Sequence, residues 1–252
     1  MKYFKSFKLP TPSVFPDYTV CITDFGAVGD GETICSQAIA SAINECSAHG
    51  GGKVVLPKGK WLTGAIKMES NINLHFEDGC QVYFSSKKED YLPVVYTSFE
   101  GIRCYNYSPL IYGYKLKNVA ITGKGILDGN GAEWWGWKSI DDGVNAIYTA
   151  CMNGIPVEER VYGTEKMGLR PCFVQMAECE NVLIEGVTFV NSPFWTVHPV
   201  WCDNVIVRGL TLKNPFKSPN TDSINIEACN CVLVEDCNVL GGGDDIYTLK
   251  SG

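Results

Sequence analysis

The sequence predicts an all-β solenoid, a parallel β-helix whose N-terminal end is covered by one helix. Three observations carry the prediction. First, an apolar segment recurs, opened by asparagine and closed by glycine: Asn118-Val119-Ala120-Ile121-Thr122-Gly123, Asn181-Val182-Leu183-Ile184-Glu185-Gly186 and Asn204-Val205-Ile206-Val207-Arg208-Gly209. A degenerate fourth copy is Cys231-Val232-Leu233-Val234-Glu235-Asp236. The last three begin 23 and then 27 residues apart, about one coil, and self-similarity at such a period marks a stacked-repeat architecture. Second, short apolar runs alternate with turn residues from Gly52 onward, the pattern of an all-β chain. Third, only one segment shows convincing helical periodicity.

Taken in order, residues 1–17 contain Pro10, Pro12 and Pro16 and read as an extended lead-in to a single domain over 18–252. Val20-Cys21-Ile22 reads as a strand, followed by the glycine-rich turn Asp24–Gly31. That turn is no phosphate loop, since no Gly-Lys-Ser/Thr follows and the glycine spacing does not fit a dinucleotide fingerprint. The helix is expected over Ile34–Ala48, with Ala38, Ile39, Ala42, Ile43 and Cys46 on one face, Thr33 as cap and Gly50-Gly51-Gly52 as terminator. Its place is over the open end of the stack, where strand edges would otherwise stand unpaired. Strands then follow at Val54–Leu56, Trp61–Ile66, Asn71–Phe76 and Gln81–Phe84. Residues 85–114, rich in tyrosine, and 132–169, with Trp134, Trp135 and Trp137, interrupt the repeat. Ordered loops walling a groove are expected there, although any one of these aromatics could simply pack its loop onto the coil.

Composition narrows the function. The 252 residues are 45% hydrophobic and 19% charged, with a net charge of −7. An acidic chain is not built to grip nucleic acid, and no run reaches the roughly 20 apolar residues of a membrane span. Of the twelve cysteines, none forms a Cys-x-x-Cys pair, so they read as small buried residues rather than disulfides or metal ligands. Residues Met1–Lys8 lack the apolar run of a secretion signal. A cytoplasmic, reducing location is expected, with secretion left open.

The chemistry lies in the last 33 residues. Thr221–Glu227 aligns beneath Phe194–Val200 and above Asp244–Lys250. Trp195, Asp222 and Asp245 then form one column, and His198, Asn225 and Thr248 another. Neighbouring coils stack at about 4.8 Å, so Asp222 and Asp245 are expected side by side, with Asp244 at the same turn. Ile224 and Ile226 face the core, leaving Ser223, Asn225 and Glu227 on the outer face. Strict alternation would bury Asp222, so a bend is expected just before that strand. Three close carboxylates repel, and at least one should titrate high, which would fit it to act as an acid beside ionised partners. A solvated acidic turn or a calcium site remains the alternative.

The motifs Asn220-Thr221-Asp222 and Gly243-Asp244-Asp245, the latter followed by Lys250-Ser251-Gly252, resemble those of glycoside hydrolase family 28, the polygalacturonases. So do Asp24–Gly31 and Asn191–Pro199, which are similar to the bacterial exo-acting branch. The resemblance runs from Ile22 onward. It implies a right-handed parallel β-helix of the pectin-lyase-like kind and inverting hydrolysis of α-1,4-galacturonosyl linkages in pectin-derived oligosaccharides, with no cofactor and no metal. Asp244 would be the general acid, and Asp222 and Asp245 would activate the water. Asn220, His198, Asn225 and Lys250 would contact substrate, Lys250 by pairing with a uronate carboxylate, although His198 could equally be structural. Ser223 replaces the usual glycine or alanine, and Asn225 stands where many relatives have aspartate. The family's Gly-His-Gly and Arg-x-Lys motifs are absent, so the chain is expected to be the N-terminal part of such a hydrolase, nearly inactive alone and prone to self-association. A non-catalytic binder of acidic glycans, a rhamnogalacturonan-directed hydrolase and a calcium-dependent lyase are the competing readings; oligomeric state is not legible.

Overall fold

The computed structural model describes residues 9–251; the Met1–Lys8 stretch and Gly252 lie outside the described residues. The chain winds into a right-handed parallel β-helix of three sheets. The first sheet holds seven strands, from Thr19–Cys21 through Lys117–Gly123, Glu180–Glu185 and Asp203–Arg208 to Asn230–Glu235. The second runs from Asp30–Ile34 to Asn238–Val239, and the third from Ile66–Lys67 to Tyr247–Lys250.

All pairing within these sheets is parallel and, apart from a shift between Asp30–Ile34 and Gly59–Thr63, holds its register, so like residues stack. One inward column of the first sheet is Val54, Leu74, Ile121, Ile184, Val207 and Val234. The third sheet contributes Ile66, Ile111, Val174, Val197 and Ile224, all nearly free of solvent. Such columns bury apolar surface between coils and hold the stack together. At the last coil the pattern continues without cover: Tyr247 and Leu249 point inward by alternation but are 52% and 88% exposed.

The repeat's leading asparagine has a physical origin. Asn71, Asn118, Asn181 and Asn204 all adopt left-handed backbone, with φ of 62°, 53°, 59° and 59°, a conformation that asparagine tolerates better than most residues. Their side chains form an amide ladder, Asn118 Nδ2 to Asn71 Oδ1 at 2.9 Å, Asn181 to Asn118 at 2.8 Å and Asn204 to Asn181 at 2.6 Å. The lead-in crosses the outer face of this sheet. Thr11 exchanges two hydrogen bonds with the Asn204 amide, and Ser13 Oγ donates to the Asn181 carbonyl. Phe15 packs on Ala120, Leu183 and Ile206.

The helix spans Ser36–Ala48 and buries the five residues expected. Ile34 instead ends a strand, and Thr33 does not cap the helix. Its N–H and hydroxyl are both given to the Asp30 carboxylate, which organises the preceding turn. The segment 85–114 is also more ordered than an interrupting loop. Val95–Phe99 and Ile102–Asn106 form an antiparallel hairpin, and Ile111–Tyr114 is a full strand of the third sheet. Residues 132–169 hold two helices, Ala132–Trp135 and Asp142–Met152. Trp134 is fully buried there against Tyr91, Tyr107 and Trp137. Cys35, Cys46, Cys80, Cys104, Cys172, Cys179 and Cys202 are buried thiols, as expected of small core residues. No helix among the described residues is long and apolar enough to cross a membrane.

Candidate active site

The third sheet's last three strands, Val197–Val200, Ile224–Glu227 and Tyr247–Lys250, pair as Val197 with Ile224 and Ile224 with Tyr247. Trp195, Asp222 and Asp245 therefore share one column. Asp222 lies just before the bend at Ser223 that leads into its strand, and the ladder continues through it: Thr196 N–H donates to the Asp222 carbonyl at 2.8 Å and Ser223 N–H to that of Asp245 at 2.9 Å.

Each position of the two motifs has a local reason. Asn220 takes left-handed φ of 54° and donates from Nδ2 to Asp244 Oδ2 at 3.3 Å. Thr221 Oγ1 accepts the Gly243 N–H at 3.0 Å, joining one coil to the next. A Cβ on Gly243 would lie 1.6 Å from the Ser218 carbonyl oxygen, so only glycine lets the second motif approach the first. The result brings carboxylate oxygens of Asp222, Asp244 and Asp245 within 4.8 Å of one another. Asp244 and Asp245 are exposed and Asp222 is buried.

These groups line a cleft of about 380 Å³, with Trp195 and Lys250 on its walls and Glu100 and Gly101 contributed by the tip of the hairpin. Burial, reinforced by the Asp244 charge, pushes the Asp222 carboxyl up to about 6, against the opposing pull of Lys250. Lys250 Nζ lies 3.8 Å from Asp222 Oδ2 and 3.5 Å from the centre of the Trp195 ring, a cation–π contact that holds the ammonium over the cleft.

His198 and Asn225 do not line the cleft. Both are completely buried, because the hairpin covers the outer face on which alternation places them. His198 Nδ1 accepts from Gln175 Nε2 at 2.9 Å, so Nε2 carries the proton that it donates to Glu227 Oε2 at 2.8 Å. Burial holds the ring's pKa below the usual value, partly offset by Glu227. Gln175 is held in turn by Thr97 and by the Ser98 carbonyl of the hairpin. Two residues without a sequence motif also shape the site. Glu227 lines the cleft; its outward position was legible, its role was not. Buried Arg170 donates to Asn220 Oδ1 at 2.6 Å and to the Pro219 and Pro193 carbonyls, fixing the amide that contacts Asp244. Nothing in the spacing around Arg170 signals this.

The profile of "Glycosyl hydrolases family 28" matches residues 160–252, which contain both aspartate motifs. A "Probable polygalacturonase" of Vitis vinifera is 32% identical over 244 residues, covering 93% of this chain and 45% of that protein. The crystal structure of a hyperthermoactive exopolygalacturonase from Thermotoga maritima is 43% identical with a TM-score of 0.92, covering 97% of this chain and 57% of the other. A family 28 exopolygalacturonase from Yersinia enterocolitica, 24% identical with a TM-score of 0.73 over 93% of this chain and 45% of its own, shares the fold. The chain thus spans about half the length of the relatives it matches. Motifs, coil register and relatives agree: the chain belongs to glycosyl hydrolase family 28.

Proposed function

We propose that the protein hydrolyses α-1,4-galacturonosyl linkages in pectin-derived oligosaccharides, acting as an exo-polygalacturonase with inversion at the anomeric carbon. The observation that carries this reading is the convergence of Asp222, Asp244 and Asp245 from successive coils at the wall of one cleft. The galacturonide assignment follows the relatives, among them exopolygalacturonases. Within the cleft, Lys250 supplies a cation for a uronate carboxylate.

In a two-carboxylate inverting site, acid and base stand roughly 6.5–9.5 Å apart to hold a water between them. Here the nearest oxygens are within 4.8 Å. That distance does not separate the three roles, which follow the motif resemblance: Asp244 as the proton donor, and Asp222 with Asp245 as the base that holds and deprotonates the water. Asn220 orients Asp244, and Arg170 orients Asn220.

The test is release of galacturonic acid from oligogalacturonides, with the product anomer read by NMR before mutarotation. Hydrolysis that disappears in Asp244→Asn supports the reading, and a retained anomer would refute the mechanism. Binding that survives Asp222→Asn and Asp245→Asn, with no hydrolysis by the parent protein, would establish a glycan-binding protein instead.

A further inference from the structure

We propose that Glu227 is a substrate-binding residue whose Oε1 accepts a hydrogen bond from a ring hydroxyl of the sugar held beside the three aspartates. The inference rests on the glycosidase reading above and names a contact within it.

Glu227 lines the same cleft as the aspartates, yet it is only 1% exposed. Its two oxygens have different circumstances. Oε2 takes the Nε2–H of His198, whose tautomer is set by Gln175. Oε1 is buried and has no hydrogen-bond partner. A buried carboxylate oxygen left unpaired is costly, and a ligand that supplies a donor recovers that cost. Gly101, at the hairpin tip, faces this atom: a Cβ there would lie 3.7 Å from Oε1. The carboxylate is thus held from beneath by a buried neutral histidine and faces a side-chain-free hairpin tip.

The chemistry of the ligand group follows from charge. Glu227 shares the cleft with Glu100, Asp222, Asp244 and Asp245, and Lys250 is the cation among the lining residues. A sugar carboxylate set against Glu227 would meet like charge. A hydroxyl, which can donate, satisfies Oε1 without adding charge. Lys250, paired in register with Glu227 on the next strand, is left for the uronate. Glu227 and Lys250 then read two different substituents of one ring, and His198 and Gln175 are positioning residues.

The experiment compares full-length wild type, Glu227→Gln and Glu227→Asp on trigalacturonate and on its monodeoxy analogues. In Glu227→Gln the amide oxygen is taken by the His198 Nε2–H and the NH2 group faces the cleft, so the charged acceptor is lost and kcat/KM on the parent substrate should fall about ten- to hundredfold. One deoxy position should cost wild type a similar factor and cost the variants less than about threefold, since the contact is already gone. A general folding defect would instead lower activity on every analogue alike; Glu227→Asp keeps the charge while withdrawing the oxygen, and should show the same position-specific pattern. Active wild type with variants as sensitive as wild type at every position overturns this inference alone. Wild type inert toward all galacturonides overturns the glycosidase reading and this inference with it.

Discussion

Replacing Asp222 by asparagine should stabilise the fold at neutral pH while abolishing hydrolysis. The carboxyl is 4% exposed and its pKa rises from 3.8 to about 6. Burial is the leading cause, followed by the Asp244 charge. Because the folded pKa lies above the unfolded one, both states are protonated below about pH 4 and the group contributes nothing there. As pH rises through 4 to 6, the unfolded chain ionises more readily, and stability is lost until it levels off above 6. A rise of roughly two pH units corresponds to about 3 kcal/mol. The carboxyl borders an open cleft and lies near the Lys250 ammonium, so solvent screening reduces the expected gain to about 1–2 kcal/mol. Urea unfolding of wild type and Asp222→Asn at pH 4, 5, 6, 7 and 8 measures it directly. The gain should be near zero at pH 4 and full at pH 7. A gain independent of pH, or a loss at pH 8, would refute the assignment of strain to this carboxylate.

The pH–rate profile separates the roles of the aspartates. With Asp222 in the base pair, kcat/KM should fall on the acid side with an apparent pKa near 6; a fall above pH 6 instead would make Asp222 the acid. Asp244→Asn should lower kcat about 10²–10⁴-fold, as loss of general acid–base assistance does, with a melting temperature at neutral pH no lower than wild type, because the charge that helps raise the Asp222 pKa is gone. Lys250→Met should raise KM for galacturonides about tenfold and move the acid limb to higher pH, because Lys250 now pulls the Asp222 pKa down. In the amide ladder, Asn181→Ala forfeits two hydrogen bonds and leaves φ of 59° without the short polar side chain that makes it tolerable. It should cost about 3 kcal/mol in urea unfolding. Asn181→Gly should cost about 1 kcal/mol less, and the reverse order would contradict the left-handed origin of the asparagine.

The register of the catalytic coils was legible because parallel pairing preserves it: aligning Phe194–Val200, Thr221–Glu227 and Asp244–Lys250 placed Asp222 beside Asp245. The expectation that a bend spares Asp222 from burial does not hold: the residue precedes the bend at Ser223, is buried, and carries the high pKa. What alternation could not tell was the environment of the outer face. It identified Asn225, Glu227 and His198 as outward, while the covering hairpin 95–106 lies in a stretch that read as loop. Its pairing is local and antiparallel, and carries no trace of the coil repeat. Arg170 was invisible for a related reason, since its partners are carbonyls and an amide gathered from two separate turns. Thr33 illustrates the limit at a helix start: a residue suited to capping was claimed by a nearer carboxylate.

The lead-in gives the solenoid a long-range closure that nearest-neighbour stacking lacks. In a simple stack each coil is bound only to the coils above and below, and its ends can fray independently. Here Thr11 is tied to Asn204 across 193 positions of sequence, and Phe15 packs against a cluster drawn from three coils. The first residues described can therefore dock only after the strand at Asp203–Arg208 exists. During synthesis this contact can form only once the coil of Asn204 has folded, and during unfolding it couples the loss of that coil to release of the Thr11–Phe15 segment.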